Sequence, residues 1–273
     1  MADYRVIDAQ QLDRDLTSVA NAIRSKTGTT KTLEFPEGFV SAQADVFDAG
    51  GLDWWNTFWD NFQKNGTRTR YDRGFAFSES WNDAIFYPKY DINCVASAGY
   101  LFGETKITNL KSRLEECGVK LDTSRATNLV EAFAWSGSIT HIPAISFEGL
   151  TSAASYTFSS GSIVEIEKLI LRSDGSNTFS GTFSTTSKLE QMLVEGVIGQ
   201  NGFNVSVCTK LNKASITSII RALSTTTSGL SVSLSLNAVK KAFETSSGTN
   251  NGNTSAAWTA LANTRTNWTI TLV

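Results

Sequence analysis

The chain has 273 residues, with 24 lysines and arginines against 26 aspartates and glutamates, which gives a formal net charge of −2. This balance argues against the concentrated basic surface that displaces counterions from nucleic-acid phosphates, so we expect no nucleic-acid partner. No apolar run approaches the ~18 residues of a membrane helix, and the opening MADYRVIDAQ lacks the basic and apolar regions of a signal peptide. We therefore expect a soluble chain made in the cytosol, with no membrane partner.

Serine and threonine are unevenly distributed along the chain. They account for 17 of the first 120 residues and for 47 of the last 153, while charged residues make up only 18% of the whole. A soluble domain usually has about 25% charged residues, so uncharged hydroxyl groups must carry much of the polar surface here.

Residues 1–50 are predicted to form a short helical module. Asp8 and Gln11 have the spacing of a capping box, and apolar residues follow them at helical intervals. A second helix is predicted between Pro36 and Gly50. Because so short a segment rarely buries enough apolar surface by itself, we expect it to associate with other proteins or with copies of itself.

An aromatic helix is predicted next, within residues 51–74, as the N-terminal cap of the segment that follows. Four aromatic residues lie there at helical intervals: Trp55, Phe58, Trp59 and Phe62. Such a stripe is typical of packing against a neighbouring layer, although a sugar-stacking or interface patch has the same pattern. Trp54 lies off the stripe and is the better candidate for an exposed, ligand-binding aromatic residue.

From residue 75 onward the sequence repeats. Five phenylalanines recur with spacings of 25, 31, 25 and 25 residues: Phe77, Phe102, Phe133, Phe158 and Phe183. Each of the last four is followed by two apolar residues three positions apart and then by a short β-prone run. A period of about 25 residues is in the leucine-rich-repeat range, where units bury their apolar faces only by stacking. We therefore predict an α+β fold with a leucine-rich-repeat-like solenoid over residues 75–210 and a column of phenylalanines inside it.

Residues 211–273 are predicted to form an α/β C-terminal cap of the solenoid. Ser215 can N-cap a helix, and a half-exposed strand is indicated by the alternating run LSVSLSL. A further helix is predicted for AAWTALA, with Trp258 facing inward. The one long interval between phenylalanines indicates an insertion around KSRLEECGVK, which we interpret as an outer helical segment.

Several stretches resemble known structural proteins. The N-terminal segment reads LTSVANAIRSKTGTTKTLEFPEGFVSA. It resembles the opening module of tail-fibre and other structural proteins from phages and prophages of Gram-positive gut bacteria. Later stretches read FWDNFQKNGTRTRYDRGFAF, WNDAIFYPKYDI, EGVIGQNGFNV and LNKASITSIIRALSTTTSGLSVSLS. They are similar to the BspA-like leucine-rich-repeat proteins of the same mobile elements.

This resemblance implies a virion structural protein, tail-fibre-like or head-fibre-like, that is located in the virion after assembly in the host cytoplasm. Residues 1–50 would join it to other virion proteins, and the protein would be a homo-oligomer. Its repeats would bind a bacterial surface glycan or protein. The family is a scaffold without a catalytic motif, so the resemblance assigns no catalytic residue.

The residues themselves offer little catalytic chemistry. His141 is the only histidine, three dispersed cysteines fit neither a disulfide framework nor a zinc site, and no nucleotide-binding or hydrolase motif is present. We therefore expect no enzyme, no metal and no cofactor. Trp135 departs from the small polar residues at the same place in neighbouring units, which makes it a candidate ligand-binding residue.

Two alternatives to a binding protein stay open. Glu165 and Glu167 are two apart in a β-like run, so they are expected on one face about 6 to 7 Å apart, as a polysaccharide depolymerase would need. The same pair is also an ordinary feature of a solvated strand. The other alternative is a purely architectural protein, either a capsid decoration or a baseplate part.

Overall fold

A computed structural model describes residues 86–243 and 255–273, together with Thr17, Asn21, Phe75, Asn82 and Asp83. The chain divides into one unit of residues 1–66 and a second of residues 67–273. In the first unit, Thr17 and Asn21 are both helical. The other residues of the predicted N-terminal helices and of the aromatic helix, Trp54 among them, lie outside the described residues.

Five phenylalanine rings stack in the core of the second unit: Phe75, Phe102, Phe133, Phe158 and Phe183. Neighbouring centroids are 4.9 to 5.7 Å apart, and the ring planes differ by only 12° to 15°. The predicted first member, Phe77, lies outside the described residues, and the ring that stacks on Phe102 is that of Phe75. Because every ring is 0 or 1% exposed, the column forms a continuous apolar core.

The backbone repeats along this column as well. The N–H groups of Phe102, Phe133 and Phe158 donate to carbonyl oxygens 24 to 30 residues further on, at 2.7 to 3.0 Å. The two apolar positions that follow each phenylalanine are fully buried: Ile107, Leu110, Ile139, Ile142, Ile163, Ile166, Leu189 and Met192. The periodicity therefore identified the buried residues of successive segments.

The described residues contain four helices and eleven strands. The helices are α1 (Leu110–Glu116), α2 (Lys213–Ala222), α3 (Leu236–Phe243) and α4 (Ala256–Ala262). The strands are β1 (Ile92–Asn93), β2 (Leu121–Asp122), β3 (His141–Ile142), β4 (Ile145–Ser146), β5 (Ala154–Ser155), β6 (Glu165–Ile170), β7 (Phe179–Ser180), β8 (Gln191–Glu195), β9 (Asn204–Val205), β10 (Leu230–Leu234) and β11 (Trp268–Leu272). A 3₁₀ turn, Asn263–Arg265, lies between α4 and β11.

The predicted leucine-rich-repeat-like solenoid is wrong as a description of the fold. The described residues form a mixed α/β structure in which the strands belong to four separate small parallel sheets: β1–β2, β5–β7, β9–β10–β11, and a group of β3, β4, β6 and β8. No continuous sheet runs through the described part of residues 75–210. The periodic sequence specified burial, but it did not specify long strands.

The backbone of the turns explains why two of the strands, β5 and β7, are so short. Tyr156 directly follows β5 with a φ of 52°, and Gly181 directly follows β7 with a φ of 61°. A left-handed residue ends an extended strand, because it turns the backbone out of the β region. The regular ladder between β5 and β7 therefore stops after two residues, although a single backbone hydrogen bond from Phe158 to Thr182 follows it.

The C-terminal part confirms the alternating strand and corrects one helix cap. Val232 and Leu234 on β10 are buried, and the whole strand pairs with β11 in parallel. The N-cap of α2 is Asn212, whose side chain accepts from the Ser215 N–H at 2.9 Å. Ser215, the predicted cap, is instead buried inside the helix and accepts from the Met192 N–H. Asn and Ser are equally good caps, so composition alone does not separate them.

None of the four helices described here, the longest of which has ten residues, has the length and apolar composition for crossing a membrane.

Candidate functional site

Trp135 is the most exposed aromatic side chain in the described part of the chain, at 58%. Its indole Nε1–H donates to Glu131 Oε2 at 3.0 Å, and its backbone N–H donates to the Ser159 carbonyl at 3.1 Å. One edge of the ring is thus fixed from within its own turn, while much of its surface faces solvent. The structure therefore places this predicted residue where a ligand can reach it.

Four residues occupy equivalent positions in successive turns, each two residues before a phenylalanine of the column. They are Tyr100, Glu131, Tyr156 and Gly181, and we call them the turn row. All four have a φ between 52° and 61°. The N–H groups of the first three donate to the next segment at 2.9 to 3.0 Å, so the four positions follow one another along the stacked turns. Tyr156 is 43% exposed, which adds a second accessible ring to this edge.

A cleft of about 480 Å³ is lined by charged side chains from several helices, strands and loops, and we call it the charged cleft. Its ionisable side chains are His141, Glu165, Glu190, Lys210, Lys213 and Lys241. The parallel strands β3, β6 and β8 pair His141 with Glu165 and Glu165 with Gln191. Lys213 begins α2 on another side of the cleft.

Lys111, on α1, neutralises the acidic side chains next to this cleft. Its Nζ lies 3.1 Å from Glu165 Oε1 and 3.8 Å from Glu167 Oε2. Burial opposes the lysine's charge, but the hydrogen bond to Glu165 and the charges of Glu165, Glu167 and Glu115 outweigh that effect and raise the pKa of Lys111. Lys111 therefore stays protonated at neutral pH and holds the cluster together.

Glu165 and Glu167 lie on the same side of β6, as expected, since both reach Lys111. The pairing of β6 with β8 is irregular between Ile166 and Lys168, which leaves Glu167 without a paired residue on β8. The two carboxylates share Lys111 as their counter-ion. This shared ion pair explains why they lie close together. A depolymerase would need one of them to hold a proton for the leaving group.

Lys111 is the site residue that sequence reasoning missed. It comes from the predicted insertion, 54 residues before Glu165, and no motif links the two. The helix is positioned by its N-cap Asn109, which also forms a β-bridge with His141. The His141 ring is half-buried, with Nδ1 2.8 Å from Thr140 Oγ1 and Nε2 3.9 Å from Glu165 Oε2.

Two of the three cysteines, Cys94 and Cys208, are buried. Burial, reinforced by the charge of Asp122, raises the pKa of Cys94 to about 12. Burial also raises the pKa of Cys208 to about 11, although a hydrogen bond with Thr186 acts in the opposite direction. Cys117 is only partly buried. Within the described segments, no group of three or more His, Cys, Asp or Glu side chains could hold a metal ion.

The chain matches no protein-family model, and neither the curated proteins nor the solved structures contain a match to it.

Proposed function

We propose that this chain is a virion structural protein of a phage or prophage, tail-fibre-like or head-fibre-like, that binds a bacterial surface glycan through Trp135 and the turn row. The observation that carries the binding part is the exposed Trp135 ring, which Glu131 holds in place at 3.0 Å. An aromatic ring of this kind offers a flat apolar surface together with a polar edge.

Exposed aromatic rings suit sugars for a physical reason. The C–H face of a pyranose is apolar and covers an aromatic ring, while its hydroxyl groups need neutral donors and acceptors around that ring. Ser138, three residues after Trp135, is only partly buried and can provide such a group, whereas Ser136 and Ser159 are buried and hydrogen-bonded within the protein. Because the indole is already hydrogen-bonded to Glu131, less side-chain freedom is lost when a ligand binds.

The virion part of the proposal is supported by the amino-acid sequence. The segment LTSVANAIRSKTGTTKTLEFPEGFVSA resembles the opening module of phage structural proteins. Residues 1–50 would attach the chain to other virion proteins and to copies of itself, which leaves the second unit free to meet the bacterial surface.

Adsorption to cells tests the binding part. Fluorescently labelled full-length protein is incubated with a panel of Gram-positive gut bacteria, before and after periodate oxidation of their surface glycans. We expect binding to at least one strain, and we expect periodate to abolish it. Binding to no strain of the panel, or binding that survives periodate, would contradict the proposal.

Two single variants locate the binding surface. Trp135→Ala should weaken adsorption by about tenfold, the equivalent of about 1.4 kcal/mol. Tyr87→Ala is the matched control, since Tyr87 is another exposed aromatic residue, at 45%, outside the turn row. Equal effects of the two variants would show that Trp135 has no special part in binding.

Antibody labelling of phage particles tests the proposal that the chain is a virion protein. Gold-labelled antibody against the second unit should decorate intact particles at one defined position, either the tail or the head. Labelling found only in the unassembled fraction would overturn the virion assignment. Normal adsorption by particles that lack the protein would instead favour the architectural role.

A further inference from the structure

A second cleft, of about 300 Å³, lies at the end of the turn row, and we call it the neutral cleft. It starts at Gly181, passes over Phe203 and Asn204, and reaches Ser231 and Ser233 on β10. No residue that lines it carries a charge. This distinguishes it from the charged cleft, to which six ionisable side chains contribute.

Two glycines in neighbouring turns line the neutral cleft. Gly181 occupies the turn-row position that carries tyrosine or glutamate in the three preceding turns. A Cβ atom at Gly181 would lie 2.7 Å from Cε1 of Tyr156, so that ring lies over the glycine. At Gly202, with a φ of 97°, a Cβ atom would lie 2.7 Å from the Phe179 carbonyl oxygen. Both positions therefore require glycine, because protein atoms already occupy the place of a Cβ atom.

The floor of the cleft is apolar, and its rim has free polar groups. Phe183 and Phe203 are buried beneath it, with their ring centroids 5.5 Å apart. The side-chain oxygen of Asn204 accepts from the Ser206 N–H at 2.9 Å, which leaves its amide NH₂ available. The Ser233 hydroxyl also has no hydrogen-bond partner among the described residues.

From these observations we infer that the neutral cleft binds one uncharged sugar unit. This inference rests on the proposed function and adds the class of ligand and a second contact point. A volume of about 300 Å³ is at the lower end of small-molecule sites, which suits a single monosaccharide unit. The Asn204 amide and the Ser233 hydroxyl, which both line the cleft, are available to sugar hydroxyl groups. A phosphate or uronate finds no cationic partner there.

The experiment measures binding of methyl glycosides to the full-length protein by saturation-transfer NMR. The probes are the methyl glycosides of glucose, galactose, mannose, rhamnose and N-acetylglucosamine, with methyl glucuronide and inorganic phosphate as charged comparators. We expect at least one neutral glycoside to bind. Binding of none of them, or stronger binding of the charged comparators, would overturn the inference.

Gly181→Asn tests the position of the site. Asparagine tolerates a left-handed φ, but its Cβ atom would displace the Tyr156 ring. Its side chain would also crowd the neutral cleft, which Gly181 lines. We expect glycoside binding to fall at least about tenfold. Gly118→Asn is the matched control, because Gly118 has a φ of 66° with nothing near its Cβ position, and it should bind as the unchanged chain does.

Ser233→Ala keeps the inference falsifiable if Gly181→Asn fails to fold. It removes one free hydroxyl from a half-buried strand position, and we expect about threefold to tenfold weaker glycoside binding. Undiminished binding by this variant, or by a folded Gly181→Asn protein, would overturn the proposed position of the site.

The two proposals fail in different ways. Cell adsorption that depends on Trp135 but is unchanged in folded Gly181→Asn protein would overturn the neutral cleft and leave the proposed function standing. Gly181-dependent glycoside binding without adsorption to any strain would support the cleft as a sugar site and count against the proposed function.

Discussion

The charged cleft and the neutral cleft are built in opposite ways. In the first, Lys111 comes from α1 to a strand 54 residues later and compensates Glu165 and Glu167. In the second, the lining is uncharged, and Gly181 and Gly202 pack directly against Tyr156 and Phe179. Abundant ionisable groups therefore do not by themselves indicate a binding site, since ion pairs within the cluster satisfy many of them. Unpaired neutral groups, such as the Asn204 amide and the Ser233 hydroxyl, are the more specific feature.

The largest expected effect comes from breaking the floor of the neutral cleft. Phe183→Ala removes a fully buried ring that stacks on Phe158 at 5.6 Å, and it should lower the free energy of unfolding by about 3 to 5 kcal/mol. Urea denaturation followed by tryptophan fluorescence measures this loss. The exposed variant Tyr87→Ala should change stability by no more than about 1 kcal/mol, the upper value for the contact of its ring with the Arg113 guanidinium. Similar losses for both would contradict the stacked core.

The next largest effect is expected for the ion pairs of Lys111 beside the charged cleft. Glu165→Gln should lower the free energy of unfolding by about 1 kcal/mol, because its partly buried carboxylate lies 3.1 Å from Lys111. Glu167→Gln is the matched control, with a side chain 46% exposed and 3.8 Å from the same lysine, and should lower it by less than about 0.5 kcal/mol. Equal losses in urea denaturation would show that the two contacts do not differ.

The pH dependence of stability offers a further distinction. The raised pKa of Lys111 means that the folded state favours the protonated lysine. Its contribution is therefore fully present below 10.5, the ordinary pKa, and is lost as the pH rises through the higher folded value. The stability difference between the unchanged chain and Lys111→Met should stay constant from about pH 6 to 9 and shrink above 10.5. A difference that already disappears near neutral pH would contradict this assignment.

The smallest expected effect is that of salt. Glycoside binding at the neutral cleft should change by less than about twofold between low salt and about 1 M NaCl, because no charge contributes to it. The stability lost in Glu165→Gln should be smaller at high salt, since screening weakens the ion pair. Titrations at both salt concentrations measure the two effects. Strongly salt-dependent glycoside binding would place the ligand near the lysines instead.

The spacing of apolar residues predicted the buried core well. Phe102, Phe133, Phe158 and Phe183 stack as expected, and α1 forms within the predicted insertion. These features follow from local periodicity, which reports which side chains are buried. Trp135 was also found in this way, because it departs from the pattern of its neighbours.

Other features have no local signal in the sequence. Tyr100, Glu131 and Tyr156 adopt a positive φ although residues of these types rarely do, and the turn at Tyr156 ends strand β5 after two residues. The contact between Lys111 and Glu165 depends on where α1 docks, which tertiary packing decides. The neutral cleft is lined by residues from separate segments, between Phe179 and Ser233, which come together only when the turns are stacked.

The turn row also has a cost for folding. A non-glycine residue in the left-handed region is disfavoured by roughly 1 to 2 kcal/mol, so Tyr100, Glu131 and Tyr156 together store several kcal/mol of backbone strain. Glycine at these positions would relieve the strain and remove the side chains. The row therefore keeps its side chains, among them the exposed ring of Tyr156, at the expense of stability.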